Sequence, residues 1–172
     1  MILGLGEKLL IGIMSDAHDN IYLVDKAIEK FNELKVSLVL YAGDFVSPFV
    51  PPRFAKLRCK MVAVYGNNEN EKELIMRRLK DIGHEVRGYF AYIELNGRSI
   101  AMTHGHEKDL LSYLINKADV DVVIYGHTHK AHVEKRGRKL IVNPGECCGY
   151  LTGKSTIAVL DLERLEARLI EL

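Results

Sequence analysis

Side chains that can bind metal ions follow five separate apolar segments of this chain. In chain order they are Asp16 with His18, Asp44, Asn67 with Asn68, His104 with His106, and His127 with His129. If these segments are strands of one α/β unit, the groups at their carboxyl ends converge at one edge. Carboxylates and imidazoles that are buried together need a cation to compensate them. The pattern therefore predicts a site for divalent metal ions.

The donor atoms restrict the kind of metal that such a site would hold. Seven candidate ligands, suited to two ions that share a carboxylate, are Asp16, His18, Asp44, Asn67, His104, His127 and His129. All of them offer oxygen or nitrogen, which suits Mn²⁺, Fe²⁺, Ni²⁺ or Zn²⁺ better than a thiolate site would. Each fragment alone has a simpler explanation, since an Asp or Asn after a strand is usually a helix cap. The prediction depends on all five fragments occurring in this order, each at a strand end.

An alternation of strands and helices in the first half of the chain would position three of these groups. Strands are predicted over 9–14, 36–42 and 61–65, and helices over 20–34, 47–57 and 71–82. The helix over 20–34 has apolar residues at helical spacing, whereas three prolines obscure the start of the one over 47–57. Such a βαβαβα series favours a parallel sheet with helices on its faces.

The second half is richer in strands. Hairpins are predicted over 90–103, where Asn96-Gly97 forms the turn, over 132–142, and over 156–172. A helix over 108–117 and a strand over 120–125 lie between the first two hairpins. These residues predict a second, mainly antiparallel sheet within one α/β domain that spans residues 1–172.

Composition excludes several classes of protein. The chain has 172 residues, 48% of them hydrophobic and 27% charged, with a net charge of +1. A neutral, evenly charged chain gives no basis for binding long nucleic acids or an anionic membrane. No apolar stretch approaches the ~20 residues that span a bilayer. The N-terminus lacks the features of a signal peptide, so we expect a cytoplasmic protein, and three cysteines agree with a reducing compartment.

Two glycine-rich stretches resemble nucleotide-binding loops without meeting their requirements. Gly4-Leu5-Gly6 precedes the first strand, whereas a dinucleotide-binding loop follows it. The segment over 149–155 has three residues between its glycines instead of the four of a P-loop. A β-like run follows it, where phosphate binding needs a helix N-terminus. Neither stretch is therefore a nucleotide site.

Taken together, the five fragments resemble those of the calcineurin-like metallophosphoesterases, in particular the small phosphodiesterases of archaea and bacteria. The matching motifs are Asp16-x-His18, Gly43-Asp44, Gly66-Asn67-Asn68-Glu69, His104-Gly105-His106 and Gly126-His127-Thr128-His129. The resemblance runs from about Leu10 to the C-terminus. It implies a four-layer α/β/β/α sandwich of two mixed sheets with a dinuclear metal site at one rim.

The resemblance also implies an activity and a ligand scheme. One ion would be held by Asp16, His18 and His129, the other by Asn67, His104 and His127, with Asp44 bridging them. Two divalent ions are implied per chain; Mn is favoured, and Ni, Fe and Zn remain alternatives. A hydroxide between the ions would attack the phosphorus of a small phosphodiester, nucleotide-derived compounds included. No membrane and no long nucleic acid is expected as a partner, and a homo-oligomer is left open.

One position departs from the family pattern. Most members have a His where this chain has Asn68, and that His protonates the leaving group or contacts the phosphoryl oxygens. An Asn can donate a hydrogen bond but is no general acid. The following Glu69 would then be placed to orient a ring that is absent. The two candidate catalytic residues are accordingly Asn68, for substrate contact, and His106, as a replacement acid.

The remaining histidines and the adjacent cysteines are not expected to bind metal. We expect His84 at the surface and His132 in a structural position. Cys147 and Cys148, in a loop resembling one near the site of this subgroup, are expected to be buried and inert. Two alternative functions stay open. One is an interaction scaffold of the same fold without useful catalysis, and the other is a phosphomonoesterase.

Overall fold

A computed structural model, which describes residues 9–172, places eleven strands in two sheets. The strands within that range are β1 Leu10–Met14, β2 Leu38–Tyr41, β3 Lys60–Ala63, β4 Glu85–Val86, β5 Phe90–Leu95, β6 Arg98–Thr103, β7 Val122–Ile124, β8 His132–Arg136, β9 Lys139–Asn143, β10 Thr156–Asp161 and β11 Glu166–Glu171. The helices are α1 Ile21–Glu33, α2 Lys72–Asp81 and α3 Lys108–Asn116, together with a 3₁₀ helix over Pro51–Lys56.

The first sheet is mixed and has the order β11-β10-β1-β2-β3-β4. Strands β1 to β4 are parallel, and the β10–β11 hairpin joins them antiparallel to β1. The parallel part is the sheet predicted from the βαβαβα series. Strand β4, only two residues long, carries too little pattern to be recognised in the sequence.

The second sheet is also mixed, with the order β5-β6-β7-β9-β8. Its three central strands, β6, β7 and β9, are parallel, while β5 and β8 are antiparallel edges. The expectation of a mainly antiparallel sheet is wrong for this reason. Each predicted hairpin exists. The hairpins over 90–103 and 132–142 come together through their second strands, on either side of β7, whereas the hairpin over 156–172 belongs to the first sheet. No local pattern reveals these pairings.

The two sheets pack face to face between two layers of helices. The side chains of β1–β3 alternate between a core shared with α1, α2 and the 3₁₀ helix and a core shared with the second sheet. Helix α3 covers the other face of the second sheet, where Leu114 packs on Ala101 and Val123. The fold is therefore the four-layer α/β/β/α sandwich that the resemblance implied.

Helix α1 shows how the local sequence sets this packing. Asn20 caps the helix, its side chain accepting a hydrogen bond from the Leu23 amide at 3.3 Å. The fully buried ring of Phe31 lies against Gly12 of β1, where a Cβ would come within 2.6 Å of the ring. Gly12 therefore lets the helix approach the sheet, close to the loop that carries Asp16 and His18.

Most elements agree with the sequence-based predictions to within two residues at each end. The helix predicted over 47–57 is instead a 3₁₀ helix with prolines in its first turn. His84 is not at the surface: it is 8% exposed, accepts a hydrogen bond from the Met61 amide at 3.2 Å, and contacts the Phe54 carbonyl at 3.0 Å. It joins β3 to the 3₁₀ helix.

Some predictions concern residues beyond the described range. The excluded Gly4-Leu5-Gly6 loop and the features of the N-terminus lie outside residues 9–172, and the limits of the domain remain a prediction. Within those residues, no helix is long and apolar enough to cross a membrane.

Candidate metal centre

The predicted site residues follow strands that run parallel to one another. Asp16, Asp44 and the pair Asn67-Asn68 come after β1, β2 and β3 of the first sheet. The His104 and His127 segments come after β6 and β7, two of the three parallel strands of the second sheet. The carboxyl ends of both sets therefore meet at one rim of the sandwich, as the general behaviour of parallel sheets predicts.

Backbone contacts between the two sheets hold this rim together. The Cys147 amide donates to the Ser15 carbonyl at 2.9 Å, and the His127 amide donates to Asp16 Oδ2 at 3.1 Å. The imidazole Nδ1 of His104 lies 2.7 Å from the Ala42 carbonyl, to which it donates. Each sheet thus orients a candidate ligand of the other.

Asp44 occupies the centre of the site. Its Oδ2 atom lies 3.4 Å from Nε2 of His18 and 3.4 Å from Nε2 of His104. The side chain is almost completely buried, with a relative exposure of 1%. One carboxylate oxygen therefore faces two imidazoles that come from different sheets.

Asp16 forms the second carboxylate of the site. Its Oδ1 atom lies 3.7 Å from His18 Nε2, 3.4 Å from His129 Nε2 and 4.0 Å from His104 Nε2. Donor atoms of Asp16, His18 and His129 form one group within 4.8 Å of one another, and those of Asp16, Asp44 and His104 form another. Two adjacent groups of donors therefore share the Asp16 side chain.

Several polar atoms of this site are buried without a hydrogen-bond partner among the described residues. They are Asp16 Oδ1, His18 Nε2, His104 Nε2 and His106 Nδ1. Since His104 donates from Nδ1, its neutral form has a lone pair on Nε2, directed at the two carboxylates. Lone pairs that converge in this way need positive charge between them. The residues present therefore fit divalent cations.

The pKa shifts in the site agree with an environment that stabilises positive charge. Burial lowers the pKa of His104, but the neighbouring Asp44 and Asp16 carboxylates outweigh burial, and the pKa is raised. Burial would raise the pKa of Asp44; the His104 imidazole beside it and the two hydrogen bonds from Asn68 hold it well below its usual range. Burial and the neighbouring His104 lower the pKa of His127, which favours a neutral imidazole with a free lone pair.

The backbone at the site is strained. Five candidate ligands have positive φ angles between 40° and 65°, namely Asp16, His18, Asp44, His127 and His129. Such conformations cost of order 1–3 kcal/mol each and persist where the surrounding structure enforces them. Glycines make room for the turns: Gly43 has φ +93°, and a Cβ there would meet His104 Nδ1 at 2.8 Å. Concentrated strain of this kind is typical of functional sites.

The two asparagines after β3 occupy different positions. The Asn68 amide donates to Asp44 Oδ1 at 3.0 Å, and its side-chain Nδ2 donates to Asp44 Oδ2 at 2.7 Å. The side chain of Asn67 is exposed and makes no hydrogen bond to any other described residue. Asn68 therefore contacts the central carboxylate, while the ligand role predicted for Asn67 remains a prediction.

Glu69 is not placed to orient a ring at position 68, and that expectation is wrong. Its carboxylate, 7% exposed, accepts hydrogen bonds from the amides of Gly66 at 2.9 Å, Asp44 at 2.8 Å and Phe45 at 3.1 Å. A buried carboxylate with three backbone donors organises the loops after β2 and β3. Glu69 thereby fixes the backbone that presents Asp44.

The histidines of the second sheet lie side by side. The ring centroid of His127 is 5.1 Å from that of His104 and 6.2 Å from that of His106. His106 is partly exposed, and its ring lies next to Tyr89, 6.1 Å away between centroids. His106 therefore occupies the outer side of the group, where it would meet a ligand that approaches from solvent.

A sequence model of the calcineurin-like phosphoesterase superfamily domain matches residues 9–165, nearly the whole chain. The chain belongs to this superfamily. It is 46% identical to a phosphodiesterase of Methanocaldococcus jannaschii over 163 residues, which are 94% of this chain and 98% of that protein. These findings confirm the resemblance identified from the five motifs.

Solved structures of two similar proteins confirm the fold. The structure of an archaeal phosphodiesterase superposes with a TM-score of 0.90 at 45% identity, covering 95% of this chain and 99% of that one. A phosphoesterase from Escherichia coli superposes with a TM-score of 0.70 at 19% identity, covering 94% of this chain and 98% of that one. The second likeness supports the architecture alone.

Glu146 contacts the candidate site and was not predicted from the sequence. It follows β9, the third parallel strand of the second sheet, and its Oε2 lies 2.6 Å from His129 Nδ1. Burial would raise its pKa, but hydrogen bonds from His129, Thr152 and Leu151 lower it to about 2. The position of Glu146 in a loop after a strand was the available signal, although its side-chain partner was not predictable.

The adjacent cysteines are buried, as expected. Cys147 is completely buried, and burial raises its thiol pKa far above the usual range. Burial also raises the pKa of Cys148 to about 12. Thiols with such high pKa values are poor nucleophiles, which agrees with the prediction of inert residues.

Proposed function

We propose that this calcineurin-like protein is a phosphodiesterase that depends on two divalent metal ions. The observation that carries the proposal is the position of Asp44 Oδ2, 3.4 Å from the Nε2 atoms of both His18 and His104. A single oxygen that faces imidazoles from two sheets suits a carboxylate shared between two cations. The relationship to a phosphodiesterase, at 46% identity, supports the choice of reaction.

The donors divide between two ions on either side of Asp44. Asp16, His18 and His129 would hold one ion, and His104, His127 and Asn67 the other. When bound, such ions, Mn²⁺ favoured among them, lower the pKa of water and neutralise charge on phosphoryl oxygens. The unpartnered atoms Asp16 Oδ1, His18 Nε2 and His104 Nε2 support cation binding at this centre.

The protein's own groups prepare the site for a phosphodiester. The Nδ1 hydrogen bonds of His104 to Ala42 and of His129 to Glu146 hold both rings with Nε2 facing inward. Asn68 holds Asp44 through two hydrogen bonds and keeps its own amide beside the centre. His106, at the outer side of the histidine group, is placed to contact the substrate.

Buried polar atoms without partners favour catalysis over a scaffold function. All seven predicted ligand residues occur in the sequence, and four polar atoms of the site are buried without a partner among the described residues. An interaction scaffold would gain nothing from such atoms, which are costly to bury. The absence of a histidine at position 68 favours a diester over a phosphomonoester, because no imidazolium would offset the second negative charge.

A metal add-back assay tests the proposed function. The purified protein is stripped with a chelator, dialysed, and supplied separately with Mn²⁺, Ni²⁺, Fe²⁺, Zn²⁺ or Mg²⁺. Aryl phosphodiesters and the corresponding monoesters are then offered at equal concentration. We expect metal-dependent hydrolysis of the diesters above that of the monoesters. A folded protein that binds the metals and cleaves neither class would support the scaffold alternative.

The last histidine pair provides a test of the ligand assignment. His129→Ala and His127→Ala are each expected to reduce the bound metal from about two ions per chain towards one. The two losses should affect different ions, because His129 lies against Asp16 and His127 lies beside His104. Elemental analysis of the dialysed proteins measures the metal content.

His132→Ala is the matched control for both variants, since His132 is exposed on β8 and contacts Glu134. Circular dichroism establishes that each variant is folded. Full occupancy in both His127→Ala and His129→Ala would remove the pair from the ligand set.

A further inference from the structure

Glu146 is a buried carboxylate with partners on two sides. On one side its Oε2 atom accepts hydrogen bonds from His129 Nδ1 at 2.6 Å and from the Cys148 thiol at 3.2 Å. On the other side the Leu151 amide donates to both carboxylate oxygens, at 2.9 Å and 3.1 Å, and the Thr152 amide and hydroxyl donate to Oε1 at 2.5 Å and 2.7 Å. The side chain has no exposed surface. One charge therefore serves both a candidate metal ligand and a surface loop.

The loop over 149–154 depends strongly on these hydrogen bonds. Its two largest side chains, Tyr150 and Leu151, are 62% and 75% exposed, so they contribute little apolar packing. Glycines with positive φ, Gly149 and Gly153, begin and end the turn. A segment with few buried contacts opens at low free-energy cost unless specific bonds retain it. Glu146 accepts such bonds from three donor groups of this loop.

The hydrogen bond between Glu146 and His129 fixes the tautomer and the orientation of the His129 ring. A proton held on Nδ1 leaves the lone pair on Nε2, and Nε2 lies 3.4 Å from Asp16 Oδ1. If Glu146 turned away with the loop, His129 would lose both its fixed orientation and its fixed tautomer.

We propose that Glu146 is a positioning residue that links closure of the loop over 149–154 to metal binding by His129. The loop and the metal ligand share one buried carboxylate, so each arrangement stabilises the other. Thermodynamic linkage makes the effect reciprocal: metal binding should order the loop, and loosening the loop should weaken metal binding. The inference rests on the proposed metal centre and is independent of the reaction.

The test uses four variants of the full chain and Mn²⁺ alone as the probe. Glu146→Gln keeps the shape but removes the charge. Thr152→Val removes one hydroxyl bond to Glu146 without touching His129. Leu151→Ala, the control, alters an exposed side chain of the same loop and leaves its amide in place. Affinities come from calorimetry of the chelator-stripped proteins, and His129→Ala identifies which binding step belongs to this side of the site.

We expect Glu146→Gln to lower the Mn²⁺ affinity of that binding step by about 10- to 100-fold. This is the range for groups that hydrogen-bond to a metal ligand without contacting the metal. Thr152→Val should lower the same affinity by about fivefold, the lower range of linked sites, and Leu151→Ala should not lower it. Hydrogen exchange provides the reciprocal measurement. Mn²⁺ should slow exchange of the Leu151 and Thr152 amides in the wild type and in Leu151→Ala, but much less in Glu146→Gln.

Two results would overturn the proposal and leave the proposed metal centre standing. One is an unchanged Mn²⁺ affinity in Thr152→Val together with exchange of the loop amides that is the same with and without metal. The other is an equal loss of affinity in Thr152→Val and Leu151→Ala, which would indicate a general effect of disturbing the loop. A wild type that binds no Mn²⁺ would overturn the proposed metal centre and this inference with it. Activity enters none of these readouts, so a protein that shows the linkage and cleaves no diester would contradict only the proposed function.

Discussion

Asp44→Asn is expected to reduce phosphodiester hydrolysis by more than about 100-fold, beyond the usual effect of groups that only support a ligand. A neutral amide supplies one oxygen and no charge, so it cannot hold two cations together. The expectation follows from Asp44 Oδ2, which lies equally close to His18 and His104. Turnover of an aryl diester and metal content, measured on the same preparation, test it together.

The matched control is Asp121→Asn. Asp121 lies at the other end of β7, where its carboxylate accepts hydrogen bonds from Ser99 and Arg98. Removing its charge should leave metal content and turnover close to those of the wild type. Thermal unfolding of the chelator-stripped proteins separates loss of metal from loss of fold. If Asp44→Asn retained two tightly bound ions and normal turnover, Asp44 would not be the bridging ligand.

The second large effect concerns the leaving group. With no acid at position 68, hydrolysis should depend steeply on leaving-group pKa, and activated aryl diesters should react far faster than alkyl diesters. General acid catalysis is typically worth ~10²–10⁴-fold, so its absence should be visible across a series of substituted diesters. The rate constant plotted against leaving-group pKa is the measurement. A flat series would show that another residue supplies the proton.

His106 is the residue to examine in that case. It is partly exposed beside His104 and His127, whereas the amide of Asn68 is held against Asp44. His106→Asn would then slow alkyl diesters much more than aryl diesters. His132→Asn, on the exposed face of β8, is the control for removing a histidine. A substitution of Asn68 by His would receive no help from Glu69, because backbone amides occupy that carboxylate.

The sequence alone identified the candidate site because its signals are local. Each apolar run that ends in Asp, Asn or His is readable within a few residues, and the order of the five fragments is characteristic of the superfamily. The Asn96-Gly97 turn was equally predictable, since both residues have positive φ angles that this pair tolerates. Strand and helix positions followed from periodicity, with errors of a residue or two at their ends.

The tertiary structure decided what depends on contacts between distant residues. The parallel centre of the second sheet arises because β7 inserts between β6 and β9. His84 is buried because the 3₁₀ helix packs over it, and nothing within its own segment indicates this. These outcomes depend on how elements assemble, which periodicity within one element does not encode.

The same distinction explains the roles of the two glutamates. Glu69 and Glu146 are ordinary loop carboxylates in the sequence, and only the fold surrounds them with donors. Glu69 meets the amide of Asp44, 25 positions away, and Glu146 meets His129, 17 positions away. The residue types at the strand ends therefore determined which chemistry is available. The packing of the two sheets determined which charges are buried together, because burial is what makes each hydrogen bond to them necessary.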